Sequence, residues 1–258
     1  MDGLVQGNDR VDLLLRQAVS LDRLGRRDVA KPVLDGAPAL ADRGESAARR
    51  AKVRVWLGYH LTCVMSLEDA KTRLTESRDI AREAGLEAQE MRALGSLGNV
   101  LWNSGRASEA LEQLERSLDL ARQIADPNGQ LYALLNLGVA FLNLSRFDEA
   151  LSHSQVCLAL ARETGNRLME AHALGNLGNL DQSLGKFAQA RDHPERCLTL
   201  AGEMGDRRVE GIATGNQGMS AWALGCLALD VGEVELLGRR LRTARDVLLE
   251  RLLHVLLP

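Results

Sequence analysis

The sequence predicts an all-α protein, an α-solenoid of stacked antiparallel helical hairpins, on three observations. First, displacing the 258-residue chain against itself by forty residues aligns LGSLGNVLWNSGRASEAL (94–111), LLNLGVAFLNLSRFDEAL (134–151) and LGNLGNLDQSLGKFAQAR (174–191) without a gap. Second, apolar residues within one period fall at helical spacing. Leu134, Leu137, Gly138 and Phe141 follow i, i+3, i+4, i+7, and after the break LSRF a second stripe runs through Phe147, Ala150, Leu151, Cys157, Leu158 and Ala161. Third, aromatic residues are 3% of the chain, too few for one compact core and suited to thin layers of small aliphatic side chains. A single hairpin cannot bury its apolar face, but stacked neighbours build a continuous core.

Taken in order, the array spans 1–258, with units at about 12–51, 52–91, 92–131, 132–171, 172–211 and 212–245 and an apolar helix over about 243–257. The first and last units are degraded. In the first, KPVLDGAPAL (31–40) puts Pro32, Gly36 and Pro38 in the expected second helix, which predicts a broken helix near 32–38. Pro194 falls inside the second helix of the 172–211 unit, where an interior proline costs about 3 kcal/mol and predicts a kink. Between units, ETGNRLME (163–170) and EMGDRRVE (203–210) offer a glycine to end one helix in the left-handed conformation and an Asn or Asp to cap the next. The pattern is lost after Gly225, with Asp230 where alanine belongs. Leu248, Leu252, Val255 and Leu256 then fold back on the last hairpin, form a homodimer contact, or continue into a longer array.

Composition excludes several classes of function. A net charge of -3 gives no general attraction to nucleic acid. The opening MDGLVQGNDRVDLLLRQ has acids where a signal peptide is basic, and no stretch reaches the ~20 apolar residues of a membrane span, which predicts a cytoplasmic protein. Cys63, Cys157, Cys197 and Cys226 form no C-x-x-C pair and read as free thiols. Phosphate-loop, hydrolase-elbow and zinc-peptidase motifs are missing, so neither catalysis nor a cofactor is expected. His153 and His193 lie forty apart without a third ligand beside them and read as solvated surface histidines rather than a metal site. Cys157 and Cys197 read as small buried hydrophobes.

The pattern L-x-x-L-G-x-x-x-x-x-x-G-x-F-x-x-A-L, carried by Leu134, Leu137, Gly138, Phe147, Ala150 and Leu151 and by Leu174, Leu177, Gly178, Gly185, Phe187 and Ala190, resembles the tetratricopeptide repeat (TPR) over about 12–225. The period of forty, against about 34 for the common form, is similar to the longer-helix subclass of Leu-Gly-Asn repeat proteins, kinesin light chain and bacterial regulatory and STAND-type proteins. The resemblance implies a TPR superhelix. Its first helices would line a concave groove for a peptide or partner segment, with asparagines there holding the ligand backbone.

Two recurring features of the first helices call for separate explanations. Gly98, Gly138, Gly178 and Gly218 sit on the packing stripe, where a side chain would hold the paired helices apart. The asparagines lie about 150° or more from that stripe at 100° per residue. Their face reads Asp12, Arg16, Val19, Arg23; Lys52, Trp56, Tyr59, Cys63; Arg92, Ser96, Asn99, Asn103; Tyr132, Asn136, Val139, Asn143; His172, Asn176, Asn179, Ser183; and Ile212, Asn216, Met219, Ala223. Such amides either hydrogen-bond to one another between neighbouring helices and order the array, or pair with both N–H and C=O of an extended peptide, and the second reading is preferred. The expected binding residues are therefore Arg16, Lys52, Trp56, Arg92, Asn99, Asn103, Tyr132, Asn136, Asn143, His172, Asn176, Asn179 and Asn216. The rows grade from basic to apolar, so the expected ligand is acidic at one end and aliphatic at the other. It is held by a non-catalytic scaffold or, alternatively, by the sensor part of a bacterial regulator acting on a partner chain.

Overall fold

The computed structural model describes residues 26–43, 46–186 and 192–204, together with positions 11, 13–15, 17, 18, 21 and 214. Among these there is no strand. The helices are α1 (Arg27–Asp42), α2 (Ala47–Cys63), α3 (Leu67–Glu83), α4 (Glu87–Asn103), α5 (Ala107–Gln123), α6 (Pro127–Asn143), α7 (Phe147–Glu163), α8 (Arg167–Ser183) and α9 (Asp192–Met204). The fold is an all-α solenoid of helical hairpins. Two compact units divide it, Met1–Ala133 and Leu134–Pro258. The expected C-terminal helix and the unit at 212–245 lie outside the described residues, apart from Thr214.

The forty-residue period is two equal steps of twenty. Each helix from α2 to α8 has 17 residues. Three residues then make the turn, and the middle one has a positive φ at Met65, Gly85, Gly105, Ala125, Ser145, Gly165 and Gly185. The turns share one hydrogen-bond pattern. Leu86 N–H donates to Ala81 O at 2.8 Å while Gly85 N–H donates to Arg82 O at 3.2 Å, and the same two bonds recur at Arg106 and Gly105 and at Asn166 and Gly165. This closes the last carbonyls of each helix and needs a left-handed residue in the middle, where glycine is favoured. After Gly165, the Asn166 side chain accepts from Met169 N–H at 3.2 Å, so the expected stop and cap are both present in ETGN. The counterpart turn at 205–210 lies outside the described residues.

In the first unit, α1 packs on α2, α2 on both α3 and α4, and α4 on both α3 and α5. Leu34, Ala37, Val53, Leu57, Ala70, Leu74, Leu97 and Val100 build its core, joined by Val11, Leu15 and Ala18. In the second unit, α8 packs on α7 and on α9. Ala171, Leu174, Cys197 and Ala201 form a core cluster there. The four hairpins from α2 to α9 close on the recurring glycine. A Cβ on Gly58 would lie 2.5 Å from Leu74 Cγ, on Gly98 2.5 Å from Leu114 Cγ, on Gly138 2.8 Å from Ser154 Oγ, and on Gly178 3.2 Å from Pro194 Cδ. The expected packing role of Gly98, Gly138 and Gly178 holds in both units; Gly218 lies outside the described residues.

The prolines behave differently from expectation. No break occurs near 32–38, because α1 runs through both Pro32 and Pro38. Leu34, Ala37 and Ala41 bury one face of α1, and this tertiary packing outweighs the two missing backbone donors. Pro194 is the third residue of α9 as described and is buried in the column of Leu74, Leu114 and Ser154. The preceding residues 187–191, which would show the expected kink, lie outside the described ones.

One column breaks its own pattern. Leu94, Leu134 and Leu174 are buried in their helices, but the same place in α2 is Arg54, 9% exposed. Arg54 is held by Asp42 at the end of α1, through Nη1 to Oδ1 at 3.0 Å and Nη2 to Oδ2 at 2.9 Å, and by Glu76 on α3, through Nε to Oε2 at 2.9 Å. Those partners, Asp42 first, raise its pKa against the opposing effect of burial. One turn before Leu94 the charges are reversed: Glu90 of α4, 8% exposed, takes Arg82 at 2.8 Å and Arg116 at 3.5 Å. In the second unit Arg162 meets Glu170 at 2.8 Å.

Two predictions follow from this packing. Gly98→Ala should destabilise the protein by about 1–3 kcal/mol through overpacking on Leu114. Gly36→Ala, in an exposed helix position with nothing within 4 Å of the added Cβ, should stabilise by about 0.5–1 kcal/mol. Urea unfolding of the two variants should show midpoints moving in opposite directions. Asp42→Ala should destabilise more than Arg54→Leu, because the first leaves a buried guanidinium short of a partner and the second restores the residue other repeats carry. Thermal unfolding of the two variants checks this order.

Candidate functional site: the free stripes of the first helices

In the first unit, Lys52, Tyr59, Arg92, Asn99, Asn103 and Tyr132 are exposed, and Trp56, Cys63 and Ser96 are half-buried. In the second, Asn143 is exposed while Asn136, Val139, His172, Asn176 and Asn179 are half-buried. That stripe is mostly exposed in the first unit and mostly half-buried in the second. Arg16 and Asn216 lie outside the described residues, as do Asp12, Val19, Arg23, Ile212, Met219 and Ala223.

The amides fall into two kinds. Asn176 Nδ2 donates to Leu135 O at 3.2 Å, tying α8 to α6, beside the bare Cα of Gly138. Its donor thus serves a helix-to-helix tie, to a backbone carbonyl and not to a neighbouring asparagine as the structural alternative expected. Asn99, Asn103, Asn136, Asn143 and Asn179 make no side-chain hydrogen bond among the described residues. The α2 stripe differs in kind: Trp56 and Tyr59 meet edge to face, with ring centroids 6.2 Å apart and planes at 82°.

Several side chains with chemical potential are used inside the hairpins. Cys197 Sγ donates to Ala171 O at 3.2 Å, as Ser117 Oγ does to Met91 O at 2.9 Å and Ser77 Oγ to Ala51 O at 2.8 Å. Ser77, Ser117, Cys157 and Cys197 are thus one column, forty residues apart, a signal in the sequence for a shared polar contact. Burial pushes both the Cys157 and the Cys197 thiol up to about 11. The histidines are half-buried rather than solvated. His153 lies against Phe141 at 5.0 Å, and His193 Nε2 is 3.4 Å from Asp181 Oδ2. Asp181 occupies the column of Leu61, Leu101 and Phe141, which explains why a polar neighbour packs there. Arg146 covers the Phe141 ring with its Cζ 4.6 Å from the centroid and also holds the Glu149 carboxyl below its usual range. No group of three or more metal-binding side chains occurs among the described residues. No described helix is long and apolar enough to cross a membrane.

Repeats of two seventeen-residue helices, closed on a glycine and leaving one stripe of each first helix free, define a helical-hairpin repeat protein. Tetratricopeptide repeat models match residues 91–129 and 130–203, and the array over these residues is built of tetratricopeptide repeats. No curated protein matches the sequence. Among solved structures, the chain is similar to a STAND protein with a tetratricopeptide repeat sensor from Pyrococcus horikoshii, at 18% identity and TM-score 0.69 over 84% of this chain. It spans 33% of that protein's length. It is also similar to a Rap protein complexed with competence and sporulation factor, at 15% identity and TM-score 0.70, over 94% of this chain and 76% of that one. The apo quorum sensor NprR from B. thuringiensis gives 16% identity and TM-score 0.66, over 93% of this chain and 64% of that one. At these identities the likeness is one of fold.

The thiol column yields a pH prediction. A thiol pKa raised on folding contributes stability that is fully present below the unfolded value and lost as pH rises through the folded one. Stability should therefore fall between about pH 9 and about 11 as Cys157 and Cys197 ionise. At pH 8 the folded protein should alkylate at half-buried Cys63 before Cys157 or Cys197, as read by peptide mass spectrometry after a short iodoacetamide pulse.

Proposed function

We propose that the chain is a non-catalytic scaffold or adaptor of the cytoplasm that binds an extended segment of a partner protein on the free stripes of its first helices. The observation that carries this reading is the set of amides at Asn99, Asn103, Asn136, Asn143 and Asn179, which have no hydrogen-bond partner among the described residues. Asn99, Asn136 and Asn179 stand inside their helices, a poor place for asparagine, while Asn103 and Asn143 are the last residues of α4 and α6. Each offers two donors and an acceptor to a peptide backbone regardless of its sequence. Arg92 and Lys52 favour an acidic stretch toward the early repeats, and Arg16, with the apolar row around Asn216, extends the grading at the level of sequence. Homodimerisation through the C-terminal leucines is a further proposal from the sequence.

A second reading has its own support. The solved structures of similar fold include a STAND sensor and the quorum sensor NprR, which favours a regulatory sensor acting on an effector chain. Affinity capture with the full chain separates the two. Recovery of an ATPase or transcription factor supports the sensor, and recovery of an unrelated protein through a short linear segment supports the scaffold.

The test is a split between two sets of variants, measured against the captured partner. Asn99→Ala with Asn103→Ala, and Asn136→Ala with Asn143→Ala, should each weaken binding by about 1–3 kcal/mol with an unchanged unfolding midpoint. Asn176→Ala should lower the midpoint instead. Binding unchanged in both double variants would overturn the amide reading.

A further inference from the structure

We propose that Asn128 is a site of spontaneous covalent modification, clamped shut by its neighbour Asp126 in the folded chain. The side chain closes on the backbone nitrogen of Gly129 to form a succinimide, which water opens to isoaspartate or aspartate. The proposal is independent of the partner-binding reading above.

Asn128 is the sole asparagine of the chain that is followed by glycine. Lacking a Cβ, a glycine lets its nitrogen approach the preceding side chain unhindered. Water is the only co-reactant. Gly129 N attacks Asn128 Cγ, the Cγ–Nδ2 bond breaks, and Nδ2 leaves as ammonia, taking up the proton that Gly129 N gives up. Water then adds to one of the two imide carbonyls. Breaking the bond from Gly129 N to Cγ gives aspartate. Breaking the bond from Gly129 N to the main-chain carbonyl carbon gives isoaspartate, whose main chain runs through the side-chain methylene and is longer by that carbon.

Packing accounts for the glycine. The residues one period to either side of Gly129 are Gln89 and Met169, so glycine is particular to this repeat. A Cβ on Gly129 would lie 2.8 Å from Met91 Cε and 3.1 Å from Ala121 Cβ. Both of those residues are buried, and the first turn of α6 seats against α4 and α5 because this position has no side chain.

Hydrogen bonding accounts for the clamp. Asn128 is exposed, so burial does not shield its amide. Asp126, the residue before α6, accepts through Oδ1 from Asn128 N–H at 3.0 Å and from Gly129 N–H at 3.1 Å. Its carbonyl accepts from Gln130 N–H at 3.0 Å. Pro127 then opens the helix with a preset φ and no donor to satisfy. The attacking nitrogen is therefore engaged as a donor to a carboxylate, whose negative charge also opposes loss of the proton. Helical backbone turns Gly129 N away from Asn128 Cγ, so ring closure needs the first turn to open. The contacts Asn128 makes in the closed turn are given up in the same opening. The two products then differ in fit. Aspartate puts an acid in the first turn of a helix, where the dipole favours it. Isoaspartate lengthens the main chain just before Gly129 and displaces it from its seat on Met91.

The test is a time course of the full chain at mildly alkaline pH, folded and in urea. Peptide mass spectrometry follows each asparagine, and methyl transfer by an isoaspartate carboxyl methyltransferase reads the isoaspartate. In urea Asn128 should convert ahead of every other asparagine, and in the folded chain at least about tenfold more slowly. Asp126→Ala should speed the folded reaction about fivefold, the factor expected for a lost side-chain cap, and leave the rate in urea unchanged. Asp126→Ser keeps a capping oxygen and should stay closer to the wild-type folded rate than the alanine variant. It carries the test if the alanine variant does not fold. Chains refolded with isoaspartate at 128 should melt below Asn128→Asp. Equal rates folded and in urea, a folded Asp126→Ala no faster than wild type, or an equal acceleration of that variant in urea would each overturn the clamp. Asn128 reacting no faster in urea than the other asparagines would overturn the site itself. Isoaspartate chains melting with Asn128→Asp would overturn the exclusion of that product from the seat of Gly129.

Discussion

The close approach of paired helices at one glycine in each hairpin from α2 to α9 is the contact on which the rest of the fold depends. A methyl group on Gly58 or Gly98 would intrude on a leucine of the second helix, and one on Gly138 or Gly178 would meet Ser154 or Pro194. Drawing the helices together brings the neighbouring small residues into contact along the whole pair, so Ala93, Ala110 and Ala121 of one repeat and Ala150, Ala161, Ala171 and Ala173 of others are all buried. Many weak dispersion contacts then replace the few large aromatic ones a compact core would use. The same approach places the second-helix hydroxyl or thiol against a first-helix carbonyl, at Ser77, Ser117 and Cys197. It also leaves the opposite stripe of the first helices outside the hairpin core, exposed at Lys52, Arg92, Asn99, Asn103, Tyr132 and Asn143. The exposure of Asn99, Asn103 and Asn143 comes from the same orientation that buries the glycines.

Turn geometry is the second constraint and is independent of the first. Three-residue turns with a left-handed middle residue recur whether that residue is Gly85, Gly105, Gly165 and Gly185 or Met65, Ala125 and Ser145. A non-glycine residue there costs roughly 1–2 kcal/mol, yet the backbone does not change. Helix lengths and packing set the turn, and the residue adapts to it.

The glycine column and the helical stripes were legible in the sequence because each repeats with the period and each has one physical meaning. The stop and cap in Gly165 and Asn166 were legible for the same reason. What was not legible involved departures from the repeat. Arg54 takes a leucine's place, and only the fold reveals that Asp42 and Glu76 come to it from two other helices. Pro32 and Pro38 were judged by local propensity, which the burial of Leu34 and Ala37 overrides. The free stripe was found by angle alone, but angle could not separate Asn176, bonded to Leu135 O, from Asn136 or Asn179, since that depends on the distance to the next helix. His153 and His193 looked solvated because their partners, Phe141 and Asp181, lie across the hairpin and not beside them in sequence.

The equal twenty-residue steps mean that the backbone itself does not know which helix of a hairpin is which. Both kinds have 17 residues and both end in the same turn. Only side chains mark the alternation: glycine and the free amides on one kind, serine or cysteine and leucine on the other. Loss or gain of forty residues would pass through such a chain unnoticed by its neighbours. A change of twenty would keep every helix and turn in phase yet set two like faces together, leucine meeting leucine where glycine should be. The chain is a tiling in two colours on a one-colour lattice, and its grammar of insertion and deletion is written in the side chains.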